Sequence, residues 1–353
     1  MKNKVTIYDI AEKLGISVGT VNRAMHDKPK VSRETRDLIL RTAEEMGFKG
    51  NKVAKSLSRN IIKIGVLFEA TVHSYLDEVA AGARYALEEL EDYKVTGDIF
   101  ITRSPFPARM QELEEKLHQY AEQKYDGIIL SASTRTMANL ESYLKEHSPA
   151  LAMVATDLPM SRRIFCVRPN GRVAGMLAAE LLYYMAGDRQ VAVFTGNKET
   201  QIHRETVEGF LTEAGARELD IAGIYENQDD PDIAYYATGK LLKEYPEIGG
   251  IYVNSSNSET VCKKLKELGA AGKVKLVTSD LFPELKSFIE DGTVQATIFQ
   301  DPFQQGRTAV NCLYKHIANE GRVEGEILID PQVILKSNLE LFYKKLERYR
   351  NNK

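Results

Sequence analysis

The sequence predicts a small all-α head followed by an α/β body of two parallel-sheet lobes. Apolar residues in 1–60 recur at helical spacing between glycines, and from Ile61 short apolar runs alternate with amphipathic stretches. Charge divides at the same place. Residues 1–60 hold thirteen Lys/Arg against seven Asp/Glu, a balance of +6; the whole chain of 353 residues carries −3, leaving −9 on the remainder. A basic head on an acidic body points to a polyanionic partner for the head. With 43% hydrophobic and 27% charged residues, the composition is that of a globular protein, which excludes a disordered or collagen-like chain. No apolar run reaches the ~18 residues of a membrane span. The polar stretch Met1–Thr20 lacks the apolar core of a secretory signal. Cys166, Cys262 and Cys312 lie far apart and fit no metal spacing, so reduced thiols in the cytoplasm are expected, with no metal and no cofactor.

In the head, Thr6-Ile-Tyr-Asp9 has the form of a capping box, and Ile7, Ile10, Ala11 and Leu14 then share one helical face. Gly15 ends that helix because it enters the left-handed region without a Cβ clash. Ser17 can cap a second helix, in which Val21 and Met25 stand one turn apart. After a loop containing Pro29, Ser32 caps a third, with Ile39, Ala43 and Met46 inward and Gly47 closing it. Two short helices joined by a glycine turn make a helix-turn-helix. The second helix of such a motif enters the major groove with its first residues at the base edges. Here those are Val18, Gly19 and Thr20, with Arg23 a turn later. Arg23 can fork onto a guanine, while Thr20 and Asn22 suit phosphate contacts.

The run from Val5 to Met25, with Val31-Ser-Arg-Glu-Thr35 and Ala43-Glu-Glu-Met-Gly-Phe48, resembles the headpiece of the LacI/GalR family of bacterial regulators. The resemblance implies DNA binding through Thr6, Ser17, Val18, Gly19, Thr20, Asn22 and Arg23. Asn22 stands where the family usually has Ser, and Val18 and Gly19 are small, so the operator is expected to be this protein's own. Asn51-Lys-Val-Ala-Lys-Ser-Leu57 resembles the family's hinge, which becomes a short helix on operator DNA. Asn51, Val53 and Ala54 would then lie beside Leu57, the matching apolar wedge for the minor groove. Gly50 replaces a common Pro, which removes a pre-organised helix start.

In the body, strand-like runs fall at Ile64–Phe68, Ile99–Ile101, Gly127–Leu130, Leu151–Ala155, Val191–Thr195, Gly250–Val253, Lys275–Thr278 and Gln295–Phe299. Helical stretches such as Tyr75–Leu90, Gly171–Met185, Thr206–Ala214 and Asn257–Leu268 lie between them. Strand–helix repetition predicts parallel sheets covered by helices. Ligands of such sheets bind beyond the carboxyl ends of the strands, so two facing sheets would hold one in a cleft.

Ile64-Gly-Val-Leu-Phe68, Asp126-Gly-Ile-Ile-Leu130, Gly209-Phe210, Thr278-Ser-Asp-Leu-Phe-Pro-Glu284 and Ala296-Thr-Ile-Phe-Gln-Asp-Pro-Phe-Gln-Gln-Gly306 resemble the family's effector domain and the periplasmic sugar-binding proteins of type I. The resemblance implies a ligand shell of Asp157, Arg204, Asp280 and Gln300. Glu69, His73 and Tyr75 would join it from the loop after the first strand, Ser131 after the third and Asn254 after Gly250–Val253. Carboxylates, Arg and Gln suit the hydroxyls of a sugar or polyol, and Tyr75 suits its apolar face. Leu158 and Arg168 depart from the family pattern, which leaves the exact sugar open, and Arg204 in the site keeps a sugar acid or a sugar phosphate open.

The expected organisation is a DNA-binding head at 1–49, a hinge at 50–60, an effector and dimerisation domain at 61–340 and a tail at 341–353. The tail is too short for a tetramerising heptad repeat. No nucleophile elbow, zinc-protease motif, phosphate loop or dinucleotide fingerprint is present, so no enzyme and no catalytic residue are expected. The expected function is that of a homodimeric regulator on a pseudo-palindromic operator, its affinity set by a small sugar-like effector. A corepressor-type regulator answering to a nucleobase or phosphoprotein is the alternative, and a free sugar-binding protein a weaker one.

Overall fold

The computed structural model describes residues 5–25, 29–46, 60–69, 73–105, 107–133, 136, 149–157 and 162–351. Contacts divide the chain into one unit of Met1–Ile61 with Asp92–Lys94, which holds the head, and a second of Ile62–Glu91 with Val95–Lys353, the body. The hinge residues Asn51, Val53, Ala54 and Leu57 lie outside the described residues.

The head consists of α1 (Ile7–Leu14), α2 (Val18–Met25) and α3 (Arg33–Glu45). The capping box forms: Asp9 N–H donates to Thr6 Oγ1, and Thr6 N–H returns a bond to the Asp9 carboxylate at 2.6 Å. Gly15 takes φ 62°, and its N–H closes α1 onto the carbonyls of Ala11 and Glu12. Ser17 Oγ accepts from Thr20 N–H and Ser32 Oγ from Thr35 N–H, satisfying the open ends of α2 and α3. Ile10, Ala11, Val21, Ala24, Ile39 and Ala43 make the core.

The body is two lobes of one plan. The N-terminal lobe is built from β1 (Ile62–Glu69), α4 (His73–Glu89), β2 (Val95–Thr102), α5 (Ala108–Glu122), β3 (Gly127–Ser131), β4 (Ala150–Val154) and β5 (Phe165–Pro169). The C-terminal lobe follows with α6 (Gly171–Ala186), β6 (Val191–Thr195), α7 (Gln201–Ala216), β7 (Ile221–Glu226), α8 (Pro231–Glu244) and β8 (Gly250–Val253). It continues through α9 (Ser258–Glu267), β9 (Lys275–Ser279), α10 (Leu285–Glu290) and β10 (Ala296–Phe299). The chain then returns with α11 (Pro302–Ile317) and β11 (Glu326–Ile329), and crosses again to β12 (Gln332–Ile334) and α12 (Leu339–Asn351). The sheet orders are β2-β1-β3-β4-β5-β11 and β7-β6-β8-β9-β10-β12. All pairs are parallel except β12 against β10. Short, Gly- or Pro-containing or edge strands (β5, β7, β11 and β12) are those without a clear apolar run in the sequence.

Each lobe is braced by a helix that begins at a crossover and lies on a partner through glycines. A Cβ on Gly82 of α4 would sit 1.8 Å from Phe303 O, and one on Gly306 of α11 would sit 1.9 Å from Val79 O. In the other lobe, Gly175 of α6 meets Thr206 O at 1.9 Å and Gly209 of α7 meets Arg172 O at 2.0 Å. Side chains there would hold the backbones apart, so these glycines set the depth of each helix pair.

The segment set apart by sequence as a tail is helical and belongs to the C-terminal lobe. Leu339 and Leu346 enter its core, Phe342 meets Phe299, and Lys345 pairs with Asp301 at 3.1 Å. Leu339, Phe342 and Leu346 recur at helical spacing because they cover that lobe.

Candidate functional site

In the head, α2 presents its first turn outward. Ser17, Gly19 and Asn22 are exposed, and Val18, Thr20 and Arg23 are half-buried. Arg23 Nη2 donates to Thr20 Oγ1 at 3.2 Å, and Thr20 Oγ1 lies 2.8 Å from Ser17 Oγ. The guanidinium therefore lies along the helix edge beside Thr20. Thr6 is spent on capping α1. Tyr8, on the same helix, is 67% exposed and is a further aromatic on this surface.

In the body, the strand ends carry the predicted ligand residues, and the two lobes use them differently. Asp280 follows β9 at φ 64° and is buried. Its carboxylate accepts from Gln300 N–H at 3.2 Å and from Gln300 Nε2 at 2.9 Å. Burial raises its pKa to about 7, against the opposing bonds from Gln300 and the charge of His203. Tyr75, at the start of α4 in the other lobe, stands near enough for the Asp280 charge to act on it; burial first, and that charge second, push its phenol well above the ordinary value. The Tyr75 hydroxyl is bonded to the Gln305 amide, and Gln305 Nε2 also donates to Gln300 O at 2.8 Å. Asp280, Gln300 and Tyr75 thus form one connected group across the cleft.

Asn254, at the end of β8, is 8% exposed, and neither atom of its amide has a partner. Gln300 Oε1 and the hydroxyls of Thr195, Thr278 and Ser258 are likewise buried and unpartnered, as is Asn257 Nδ2. They lie at or just after the ends of β6, β8, β9 and β10. Buried polar atoms are nearly always bonded, so a row of open ones marks where a polar ligand or ordered water completes the structure.

Other predicted residues are committed within their own lobe. Glu69 accepts Ser133 N–H at 2.7 Å and pairs with Arg109 at 3.0 Å. Asp157 forms a forked ion pair with Arg163, which also donates to Gly325 O at 2.7 Å. Ser131 is buried at the end of β3. His73 opens α4, and its side chain lies outside the described residues. Arg204 is exposed and donates to Glu199 O at 3.4 Å. The neighbouring residue, His203, faces the strand ends instead: its Nε2 lies 3.5 Å from Asp229 Oδ2. Asp229 accepts from Ser256 N–H and Oγ, each at 3.2 Å. Burial pushes the Asp229 carboxyl up, but His203 and Ser256 together hold it below its ordinary value. His203 and Asp229 were not read from the sequence. The one available signal was the turn Asn227-Gln-Asp-Asp230, in which Gln228 and Asp229 take positive φ.

Residues 64–321 match the model of the periplasmic binding protein domain, and residues 6–51 match that of the bacterial regulatory proteins of the lacI family. The chain joins a DNA-binding domain of the lacI family of regulators to a body of the periplasmic binding protein family. Among its relatives is catabolite control protein A of Priestia megaterium, 28% identical over 71% of this chain and 74% of that one. The ribose operon repressor of Halalkalibacterium halodurans is 28% identical over 71% of each chain. The glucose-galactose binding protein GanP of Geobacillus stearothermophilus shares the fold, with TM-score 0.69 and 24% identity over 80% of this chain and 99% of that one. With that DNA-binding domain and that body, the chain is a DNA-binding transcriptional regulator. Among its described residues, no helix is long and apolar enough to cross a membrane.

Proposed function

We propose that this regulator is a cytoplasmic homodimer that binds a pseudo-palindromic operator and answers to a sugar or polyol held between its lobes. The row of buried, unpartnered polar atoms around Asp280, Gln300 and Asn254 carries the effector assignment. A sugar supplies several hydroxyls, each donor and acceptor, and satisfies such a row without a compensating charge. Tyr75 and Gln305 link the site to the crossover at Asp301, so a ligand that bonds Gln300 bears directly on the hinge between the lobes. The solved sugar-binding relative and the ribose repressor support the same class. On DNA, Arg23 reads bases while Ser17, Thr20 and Asn22 position phosphates; Val18 and Gly19 let the helix approach closely. Asn51, Val53, Ala54 and Leu57 are assigned to the minor groove at the operator centre.

Selection of bound sequences from random DNA with the purified full chain tests this reading. An inverted repeat should be enriched, and Arg23→Ala should lose it while keeping salt-sensitive non-specific binding. Enrichment of the same repeat by Arg23→Ala would remove that residue from the readout, and no enriched repeat at all would overturn the operator reading.

A further inference from the structure

One guanidinium grips both lobes of the body. Arg168 is the next-to-last residue of β5, and Pro169 and Asn170 alone separate it from α6. Its Nε and Nη2 donate to Glu326 Oε1 at 2.9 and 2.8 Å, and Glu326 opens β11, the strand beside β5 in the same sheet. Its Nη1 donates at 2.6 Å to Glu205 Oε2 on α7, in the other lobe. Glu205 is fixed from its own side as well. Its Oε1 accepts from Gln201 Nε2 at 2.7 Å, and α7 lies backbone to backbone on α6 at Gly175 and Gly209.

The two carboxylates therefore hold the same cation differently. The bond to Glu326 joins neighbouring strands of one sheet, so movement of lobe against lobe leaves it unchanged. The bond to Glu205 spans the backbone step at Pro169 and Asn170, through which such a movement passes. A rotation there parts its ends. The Arg168 and Glu205 side chains are only 10% and 21% exposed, so salt screens the pair little. Ala155, Pro169, Gln201 and Ile202 line a gap beside it with no room for a water molecule, so the bond is not exchanged for a hydrated one in this arrangement.

We propose that Arg168 is a positioning residue of the regulatory response: through Glu205 it holds the lobes in the present arrangement, independently of the group around Asp280, Gln300 and Tyr75. The inference rests on the reading above that lobe movement carries the effector's signal to the operator.

Two variants of the full chain separate positioning from plain support. Glu205→Gln and Glu326→Gln each remove one charge at nearly constant size. Each leaves Arg168 against one carboxylate, so both should fold. Spin labels on Gln111→Cys and Asp232→Cys, in a Cys312→Ser background and diluted with unlabelled chain, report the lobe arrangement. Both sites are exposed, in the first turns of α5 and α8. Those helices follow β2 and β7, the sheet edges farthest from the crossovers, where opening moves the chain most. In double electron–electron resonance, Glu205→Gln should add a longer-distance population, and Glu326→Gln should keep the distribution of the unmodified chain. On an operator recovered by selection from random DNA, Glu205→Gln should shift affinity roughly fivefold and Glu326→Gln by about twofold or less. Unchanged distances in Glu205→Gln, or the same change in both variants, would overturn the positioning role. A longer population with unaltered operator affinity would overturn the reading that lobe arrangement reaches the operator, and with it the regulatory role of Arg168, while its grip between the lobes would stand.

Discussion

After the fourth strand of the C-terminal lobe the chain turns through Asp280 at φ 64°; after the fourth strand of the N-terminal lobe it turns through Ala155, also at φ 64°. The sheets are ordered alike, and each lobe rests on a glycine-bridged helix pair. Yet one turn delivers a buried carboxylate that no described Lys or Arg pairs with, and the other delivers an alanine, with Asp157 two residues on and locked to Arg163. The same contrast runs along both strand-end rows. Glu69 is spent on Ser133 and Arg109, and Glu112 on Thr102 and Ser104. Asn254, Gln300, Thr195 and Thr278 remain open. A half-site whose polar groups satisfy one another is stable without ligand. A half-site with open ones carries a desolvation cost that a ligand removes. One architecture has thus been divided into a half whose carboxylates are paired, the more self-sufficient of the two although Arg109 Nε is buried without a hydrogen-bond partner, and a half with more open groups.

The shared frame is the first part of this comparison that can be broken. Gly306→Val and Gly209→Val each drive a branched side chain into a backbone carbonyl, in the N-terminal and C-terminal lobe respectively. Neither carbonyl can yield without parting two helices, so each should cost about 4 kcal/mol or more in urea unfolding. A cost under about 1 kcal/mol in one lobe alone would show that the two helix pairs do not set their lobes in the same way.

Much of that frame was legible in the sequence, because the β-strand runs and the helical period report burial directly. Gly209 and Gly306 were visible as motif glycines, though only the structure shows that each faces a carbonyl. The cleft was read unevenly. Asp280, Gln300 and Asn254 follow strands whose ends are well defined, so their place at the mouth followed. Arg204 lies at the start of a helix, where one residue is a step of roughly 100° around the axis; the helix turns Arg204 to solvent and His203 to Asp229. Glu69 lies at a strand end as expected, but no local pattern could reveal that Arg109 and Ser133 would occupy it. The C-terminal helix shows the same limit, since spacing identifies an apolar face but not the surface it covers.

The unsatisfied half should also leave a mark on pH dependence. The Asp280 carboxyl is raised from 3.8 to about 7 in the folded chain, so between those values the folded state holds a proton that the unfolded state has released. Stability therefore falls as pH rises through that window, and the full cost is present above pH 7. Asp280→Asn removes the charge and should stabilise the body by about 2 kcal/mol near pH 8, with little gain near pH 4. Glu69→Gln, in the self-sufficient half, should destabilise near pH 8, because it weakens a charge-assisted pair with Arg109. Chemical denaturation at the two pH values decides between them; a gain from Glu69→Gln, or none from Asp280→Asn, would erase the distinction between the halves.

The smallest expected effect concerns the link that joins the halves. Tyr75 comes from α4 of the N-terminal lobe, and its hydroxyl meets Gln305, which in turn holds the carbonyl of Gln300. Tyr75→Phe keeps the ring and deletes one bond, so stability should fall by only about 1 kcal/mol. Gln305 is fully buried, however, and would keep its bond to Gln300 while losing the group that ties it to α4. The predicted signature is therefore a split. Effector affinity, read by calorimetry with whichever sugar binds the unmodified chain, should weaken severalfold at most, because Asp280 and Asn254 are untouched. The ability of that sugar to change operator affinity should fall more, because Gln305, which holds the carbonyl of Gln300, is no longer fixed to α4. Equal losses in both readouts would make Tyr75 an ordinary wall of the site, and the junction between the halves would then lie elsewhere along the crossovers.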